Sequence, residues 1–279
     1  MTTTLRPAEP LQQTPDGGRS RTYDVCVNSR RVGSVHLSTA PGFGAGAGVI
    51  SRLGIDEPDR GRGRATVAAL ASEEVLRGWG CVQVQISVPA DAAPALRMAR
   101  SLGYTERSRN MLKEVPAEPP PLPEGVEVRP MTEAEFAAWQ TRAQDAYAQS
   151  WIDRGVPEDQ ARAKAESSHR TLLPEGLATP GAAIHLILRD GRPVGRLWTG
   201  RTELEPGRWA AYVYDIEVDE GQRGHGYGRA LMLLAERVAR EAGETLLGLH
   251  VFAGNTPAIR LYESLGYRAT NVNSAKDLR

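Results

Sequence analysis

The sequence predicts an α/β fold built twice, each copy a mixed sheet flanked by helices. Three observations predict it. First, "RGHGYGRALMLLAERVAREAG" from Arg223 lies over "RGRGRATVAALASEEVLRGWG" from Arg60. "HVFAGNTPAIRLYESLGY" from His250 lies over "SVPADAAPALRMARSLGY" from Ser87 at the same offset of 163 residues. Second, "PAEPPPLPEG", Pro116 to Gly125, is a stiff proline-rich spacer between the copies. Third, apolar residues switch between strand and helix periodicity along each copy.

The boundaries follow. Residues 1–19, polar with Pro and Gly, are expected to form a flexible lead-in, 20–115 the first domain, 116–124 the linker and 125–279 the second domain. In the second domain "VEVRPM" reads as a strand, followed by helices over about 132–152 and 157–172. "AIHLILRDGRPVGRLWTGR" is a hairpin turning at Asp190-Gly191. "AAYVYDIEV" is a strand, and 226–242 a helix with Tyr227, Ala230, Leu231, Leu234 and Val238 on one face. "TLLGLHVF" is the next strand. Asn255 then caps a helix that carries Ala258, Leu261, Tyr262 and Leu265 on one stripe and closes at Gly266. A final pair of short strands is expected to end the chain. The first domain repeats this plan from the hairpin onward and lacks the two helices before it.

Composition narrows the function. The chain has 279 residues, 41% of them apolar, enough for two cores. Its 34 basic and 34 acidic residues cancel, so no whole-chain field points to nucleic acid or an anionic membrane. Cys26 and Cys81 have neither metal nor disulfide spacing, and the five histidines are scattered, so no metal is expected. The N-terminus has no signal-peptide core, and no apolar run approaches the ~18–20 residues that span a bilayer. The expectation is a soluble, cytoplasmic protein with no membrane partner. Oligomeric state is open, a homodimer included.

The chemistry concentrates at "DEGQRGHGYGRALM", Asp219 to Met232. Gly224, Gly226 and Gly228 fall between a strand and a helix N-terminus, whose free N–H groups and partial positive charge attract anions. Glycine lets successive N–H groups converge and lets a phosphate approach the main chain, and Arg223 adds a fixed charge. A dinucleotide loop is excluded because position 229 is arginine, and a Walker loop because no Gly-Lys-Ser/Thr follows. A pyrophosphate site of another kind remains.

Arg223-Gly224-His225-Gly226-Tyr227-Gly228 resembles the Arg/Gln-x-x-Gly-x-Gly/Ala signature of the GCN5-related N-acetyltransferases (GNAT). Asn255, Ala258 and Tyr262 are similar to that family's downstream Asn-x-x-Ala-x-x-x-Tyr pattern. The resemblance implies a tandem of GNAT-like domains, each a mostly antiparallel sheet splayed between its two central strands. It implies coenzyme A as the pyrophosphate ligand, acetyl-CoA as donor and co-substrate, and a coenzyme-binding set of Arg223 to Arg229 with Asn255 and Tyr262. The pantetheine arm would lie in the splay and bond the main chain of Ile216, Glu217 and Val218.

Strand alternation places Val213, Asp215 and Glu217 on one face and Tyr214, Ile216 and Val218 on the other. Two neighbouring carboxylates repel unless they face solvent or a cation. On the resemblance, Glu217 is the candidate general base, Asp215 a group for binding the acceptor amine, and Tyr262 the general acid towards the coenzyme thiolate. Asn255 is first a helix cap, with a contact to the pantetheine arm implied by the family. His225 is expected to point outward. Trp139, Tyr147, Trp151 and Trp198 lie in elements that wall the acceptor cleft of the family, although core packing explains them as well.

At the same offset Asp215 becomes Arg52, Glu217 becomes Gly54, Asn255 becomes Ala92 and Tyr262 becomes Ala99, while Arg60, Gly61 and Gly63 keep the turn. The first domain therefore reads as degenerate, with coenzyme binding there left open. The expected function is acetyl transfer from acetyl-CoA to a primary amine of a small molecule in a direct ternary complex. No cysteine in the site favours an acyl-enzyme. Another acyl donor (a longer acyl-CoA, an acyl carrier protein or an aminoacyl-tRNA) and a non-catalytic coenzyme A sensor are the alternatives.

Overall fold

The computed structural model describes residues 2–15, 17–40, 46–153 and 156–278. The chain forms two compact units, one of residues 1–107, 153–160 and 271–279, the other of 108–152 and 161–270.

In the first unit β1 (Thr3–Pro7) and β2 (Gln12–Gln13) pair antiparallel with β3 (Arg19–Val27), which pairs with β4 (Arg30–Thr39) and so with β5 (Ala47–Ile55). Helix α1 (Arg64–Gly78) leads to β6 (Gln83–Pro89), which runs parallel to β5, and α2 (Ala93–Ser101) follows. The lead-in expected over 1–19 thus contains a strand. Its Leu5 packs against the buried Val25, Val27 and Val32 cluster, which explains why so polar a segment is held.

The second unit contains β7 (Thr105–Glu114), β8 (Val126–Pro130), α3 (Glu133–Ile152), α4 (Glu158–Leu172), β9 (Ala183–Arg189), β10 (Arg192–Glu205), β11 (Arg208–Val218), α5 (Tyr227–Glu241), β12 (Leu246–Phe252) and α6 (Thr256–Ser264). Its strand order is β7-β12-β11-β10-β9-β8, antiparallel except for β11 and β12. Asp190 (φ +51°) and Gly191 (φ +71°) make the two-residue turn between β9 and β10. The chain ends in one strand, β13 (Arg268–Asp277), where a pair of short strands was expected.

Each sheet takes its last strand from the other half of the sequence. Ser108–Glu114 of β7 pairs with β12, and Asn271–Asp277 of β13 pairs with β6. A buried ion pair accompanies each exchange. Lys113 Nζ lies 2.6 Å from Glu236 Oε1 on α5, and Lys276 Nζ lies 2.7 Å from Glu73 Oε2 on α1. Lys113 and Lys276 are two of the three lysines in the chain and sit at equivalent repeat positions, as do Glu236 and Glu73. Burial, together with the neighbouring glutamate charge, pushes the Tyr267 and Tyr104 hydroxyls well above the usual phenol range.

In the second unit one core lies between the sheet and α5 and α6, built on Leu197, Val213, Leu231, Leu234, Leu249 and Tyr262. On the other face Phe136, Trp139, Leu186, Leu188 and Trp198 form a separate cluster under α3 and α4. The sheet is thereby covered on both faces, and a groove opens at the end of β11.

Candidate active site

β11 and β12 pair only at Ala211↔Leu247, Tyr212↔Gly248 and Val213↔Leu249. Beyond Val213 and Leu249 no further β11–β12 ladder pair forms among the described residues, so the two strands part as the family resemblance implied. A β-bulge lies where the strands diverge. On β10, Trp198 faces Asp215 and Thr199 faces Val213, so Tyr214 is the extra residue. The bulge also shifts the strand's parity. Val213, Ile216 and Val218 pack on the α5 core, whereas Tyr214 packs against the Trp198 cluster. Simple alternation put Val213 with Asp215 and Glu217. The structure separates it from them.

The opening is a groove of ≈660 Å³. Asp215, Ile216, Glu217 and Val218 line one wall, and His250, Val251 and Phe252 the other. Arg223, Gly224, Gly226, Tyr227 and Gly228 lie at the α5 end, and Asn255, Ala258, Leu261 and Tyr262 belong to the α6 side. Gly226 is the N-cap of α5 (φ +85°) and Gly224 has φ +82°, a conformation that L side chains rarely adopt. Nothing lies within 4 Å of where a Cβ would stand at either residue. The glycines are thus required by backbone conformation, and they leave the helix N-terminus open. Asn255 Oδ1 accepts a hydrogen bond from the Ala258 N–H at 3.2 Å, the expected N-cap.

Two residues of the expected coenzyme-binding set lie outside the groove lining. His225 is exposed, with Nδ1 3.3 Å from the Gln222 carbonyl. Arg229 points along α5 towards α6, where its Nη2 donates to Ser264 Oγ at 2.7 Å. Helical geometry explains this, because a residue two positions after Tyr227 faces away from it. Trp139 and Trp198 are core residues, 5.5 Å apart edge to face. Tyr147 and Trp151 form a second edge-to-face pair on α3.

Arg196 on β10 is the residue that sequence reasoning missed. Its guanidinium contacts Glu217 directly and lies 3.7 Å from Asp215. A usable signal was present. Pro206-Gly207 is a two-residue turn signal, and counting back from the Glu205↔Arg208 pair places Arg196 opposite Glu217, because the two bulges between them cancel.

The two carboxylates consequently differ. Glu217 is held by Arg196. Asp215 is raised above the usual carboxylate range by burial, partly offset by Arg196, and raised further by the Glu217 charge. The Trp139 indole N–H finds no partner in good hydrogen-bond geometry but faces Asp215 closely enough to ease its charge. Tyr262 is pushed up to about 12, by burial first and the Asp215 charge second. For Asp215 the sign is definite. A folded-state pKa above the unfolded value gives a stabilising contribution that is complete below the unfolded pKa of ~3.9 and lost as pH rises through the folded one. Asp215→Asn is therefore expected to melt at a higher temperature than the parent at neutral pH and to converge with it at acid pH. A thermal denaturation series from pH 3.5 to 8 checks this, and a lower melting temperature at pH 7 would contradict it.

The Acetyltransferase (GNAT) family model matches residues 3–104 and 133–267. YycN of Bacillus subtilis, an uncharacterized N-acetyltransferase, is 36% identical over 152 residues, 53% of this chain and 96% of its own. A mycothiol acetyltransferase of Thermomonospora curvata is 31% identical over 257 residues, 90% of this chain and 80% of its own. Among solved structures, a GCN5-related N-acetyltransferase from Sphaerobacter thermophilus has a TM-score of 0.60 at 19% identity, covering 92% of this chain and 81% of that one. A tandem GNAT protein from the clavulanic acid biosynthesis pathway has a TM-score of 0.52 at 19% identity, covering 95% of this chain and 85% of that one. Those two likenesses concern the fold. With two family matches that together span most of the sequence, the chain belongs to the GNAT acetyltransferase family as a tandem member.

Proposed function

We propose that the second unit transfers an acetyl group from acetyl-CoA directly to the primary amine of a small molecule. The opened β11–β12 pair carries this reading. It offers a strand edge beyond the last β11–β12 ladder pair, with an anion-binding turn at one end and Asp215 and Tyr262 in its walls. The residues fit the coenzyme. The open space over Gly224 and Gly226 lets phosphate oxygens reach the α5 N-terminus, Arg223 lines the same end, and the β12-facing edge of 214–218 suits the amides of a pantetheine arm. Bound there, acetyl-CoA supplies an activated carbonyl for attack by the amine.

The chain's own groups do the rest. Main-chain groups of Ile216 to Val218 polarise the carbonyl oxygen. Asp215 accepts the proton that the attacking amine loses. Glu217 is already engaged by the Arg196 guanidinium, which moves this role to Asp215. Asp215, Glu217 and Arg196 together leave one net negative charge, which suits a cationic acceptor. Tyr262 donates a hydrogen bond to the departing sulfur. Cys26 and Cys81 both belong to the first unit, so direct transfer needs no acyl-enzyme. Relatives named mycothiol acetyltransferases support a small-molecule acceptor. Thiol release from acetyl-CoA, followed against a panel of small primary amines and a lysine peptide, tests the reading. Turnover with a small amine, strongly lowered but measurable in Asp215→Asn, is expected. Turnover confined to the peptide, or to a different acyl donor, would overturn it.

A further inference from the structure

The glycine turn of the first unit keeps the backbone of a phosphate cradle. Gly61 (φ +73°) and Gly63 (φ +71°) repeat Gly224 and Gly226, and Gly63 is the N-cap of α1 as Gly226 is of α5. The side chains around it do not repeat. In the second unit Gln222 and Tyr227 line the open groove. Their counterparts at the 163-residue offset are Asp59 and Arg64, both buried and bonded to each other. Arg30, at the hairpin position that Arg192 holds in the second unit, completes the group. Its Nη1 donates to Asp59 Oδ2 at 2.9 Å and its Nη2 to Oδ1 at 2.8 Å. Two side chains therefore differ from those of the second unit, and with Arg30 they place one carboxylate between two guanidinium groups beside a helix N-terminus. The arginine equivalent to Arg223 is also engaged, since Arg60 Nε donates to the Ile55 carbonyl at 2.8 Å.

We propose that the phosphate cradle of the first unit is filled from within. The Asp59 carboxylate stands where a phosphate group would be held, closing that unit to coenzyme A and leaving one coenzyme site per chain. The inference rests on reading the corresponding turn of the second unit as the cradle for the diphosphate of acetyl-CoA. The physical reason is charge. An arriving phosphate would have to displace a buried carboxylate from a bidentate arginine and from Arg64, or sit beside it and be repelled. The coenzyme competes with a ligand that is covalently attached and never dilutes.

Calorimetric titration with coenzyme A gives the first test. One equivalent per chain is expected, lost in Arg223→Glu. Two equivalents, or one that survives Arg223→Glu, would overturn the proposal. The second test keeps Arg223→Glu as background and adds Asp59→Asn, which frees both guanidinium groups. Inorganic pyrophosphate is expected to raise the melting temperature of this variant by about 2–4 °C while leaving the Arg223→Glu parent unshifted. Should Asp59→Asn fail to fold, Asp59→Gln with Arg64→Tyr installs the neutral pair of the second unit and is titrated with coenzyme A in the same background, a gained site being expected. A folded variant with no gain in either titration would overturn the role given to Asp59. Wild-type protein that binds no coenzyme A would remove the donor assigned to the second unit, while the pyrophosphate comparison still decides whether Asp59 fills the first.

Discussion

Tyr262→Phe is expected to lower kcat by about 10²–10³-fold, the usual worth of one hydrogen-bond donor aimed at developing charge, with little change in stability. The ring that packs beside Tyr267 is retained, and only the hydroxyl is lost. The size follows from proton affinities. A phenol held near 12 keeps its proton at any working pH. Full transfer to a thiolate of pKa ~8.5 would be uphill by roughly 5 kcal/mol, so Tyr262 serves the leaving sulfur as a hydrogen-bond donor. Its loss should therefore depress the rate by the same factor from pH 6 to 9, whereas Asp215→Asn should flatten whatever pH dependence the parent's carboxyl, raised by burial, imposes on the rate. Steady-state rates of both variants across that range separate the two roles. A Tyr262→Phe enzyme with parental kcat would remove the hydroxyl from the mechanism.

Lys113→Met is expected to destabilise the protein by about 3–5 kcal/mol, the cost of leaving a buried charge without its partner. Glu236 is fully buried, and its second oxygen, Oε2, already lacks a hydrogen-bond partner. Without the ammonium group, the carboxylate would face the apolar core between α5 and the sheet. Lys113→Met combined with Glu236→Leu should recover most of the loss, because two apolar side chains of similar volume replace the ion pair. Denaturant unfolding of parent, single and double variants measures both effects. A single-variant loss below about 1 kcal/mol would mean that the pair is solvated like a surface bridge. The same geometry explains why the proline-rich spacer is a poor place to cut the chain. A fragment beginning at Gly125 would lack β7, exposing the edge of β12 and stranding Glu236.

Much of the site was legible because its chemistry is local. The turn Arg223 to Gly228 and the cap Asn255 depend on residues a few positions apart, and their φ values and hydrogen bond follow from residue type. The pairing of Glu217 with Arg196 is not local in this way: the two lie 21 positions apart on different strands, and only counting register back from the Pro206-Gly207 turn brings them together. His225 and Arg229 sit inside the signature yet outside the groove, since adjacency in sequence does not give a shared helix face.

By itself the sequence determined that one unit was used twice, where most of the strands and helices lie, and which glycine turn opens a helix N-terminus. Those are matters of periodicity, capping and glycine conformation, which act over a turn or two of chain. Tertiary structure alone decided that β7 and β13 are exchanged, that the bulge at Tyr214 moves Asp215 away from Val213, and that Asp59 fills the cradle its own unit inherited. Each of these depends on strand register or on a buried charge finding a distant partner. Their energies are set by desolvation and packing between segments that the order of residues does not place side by side.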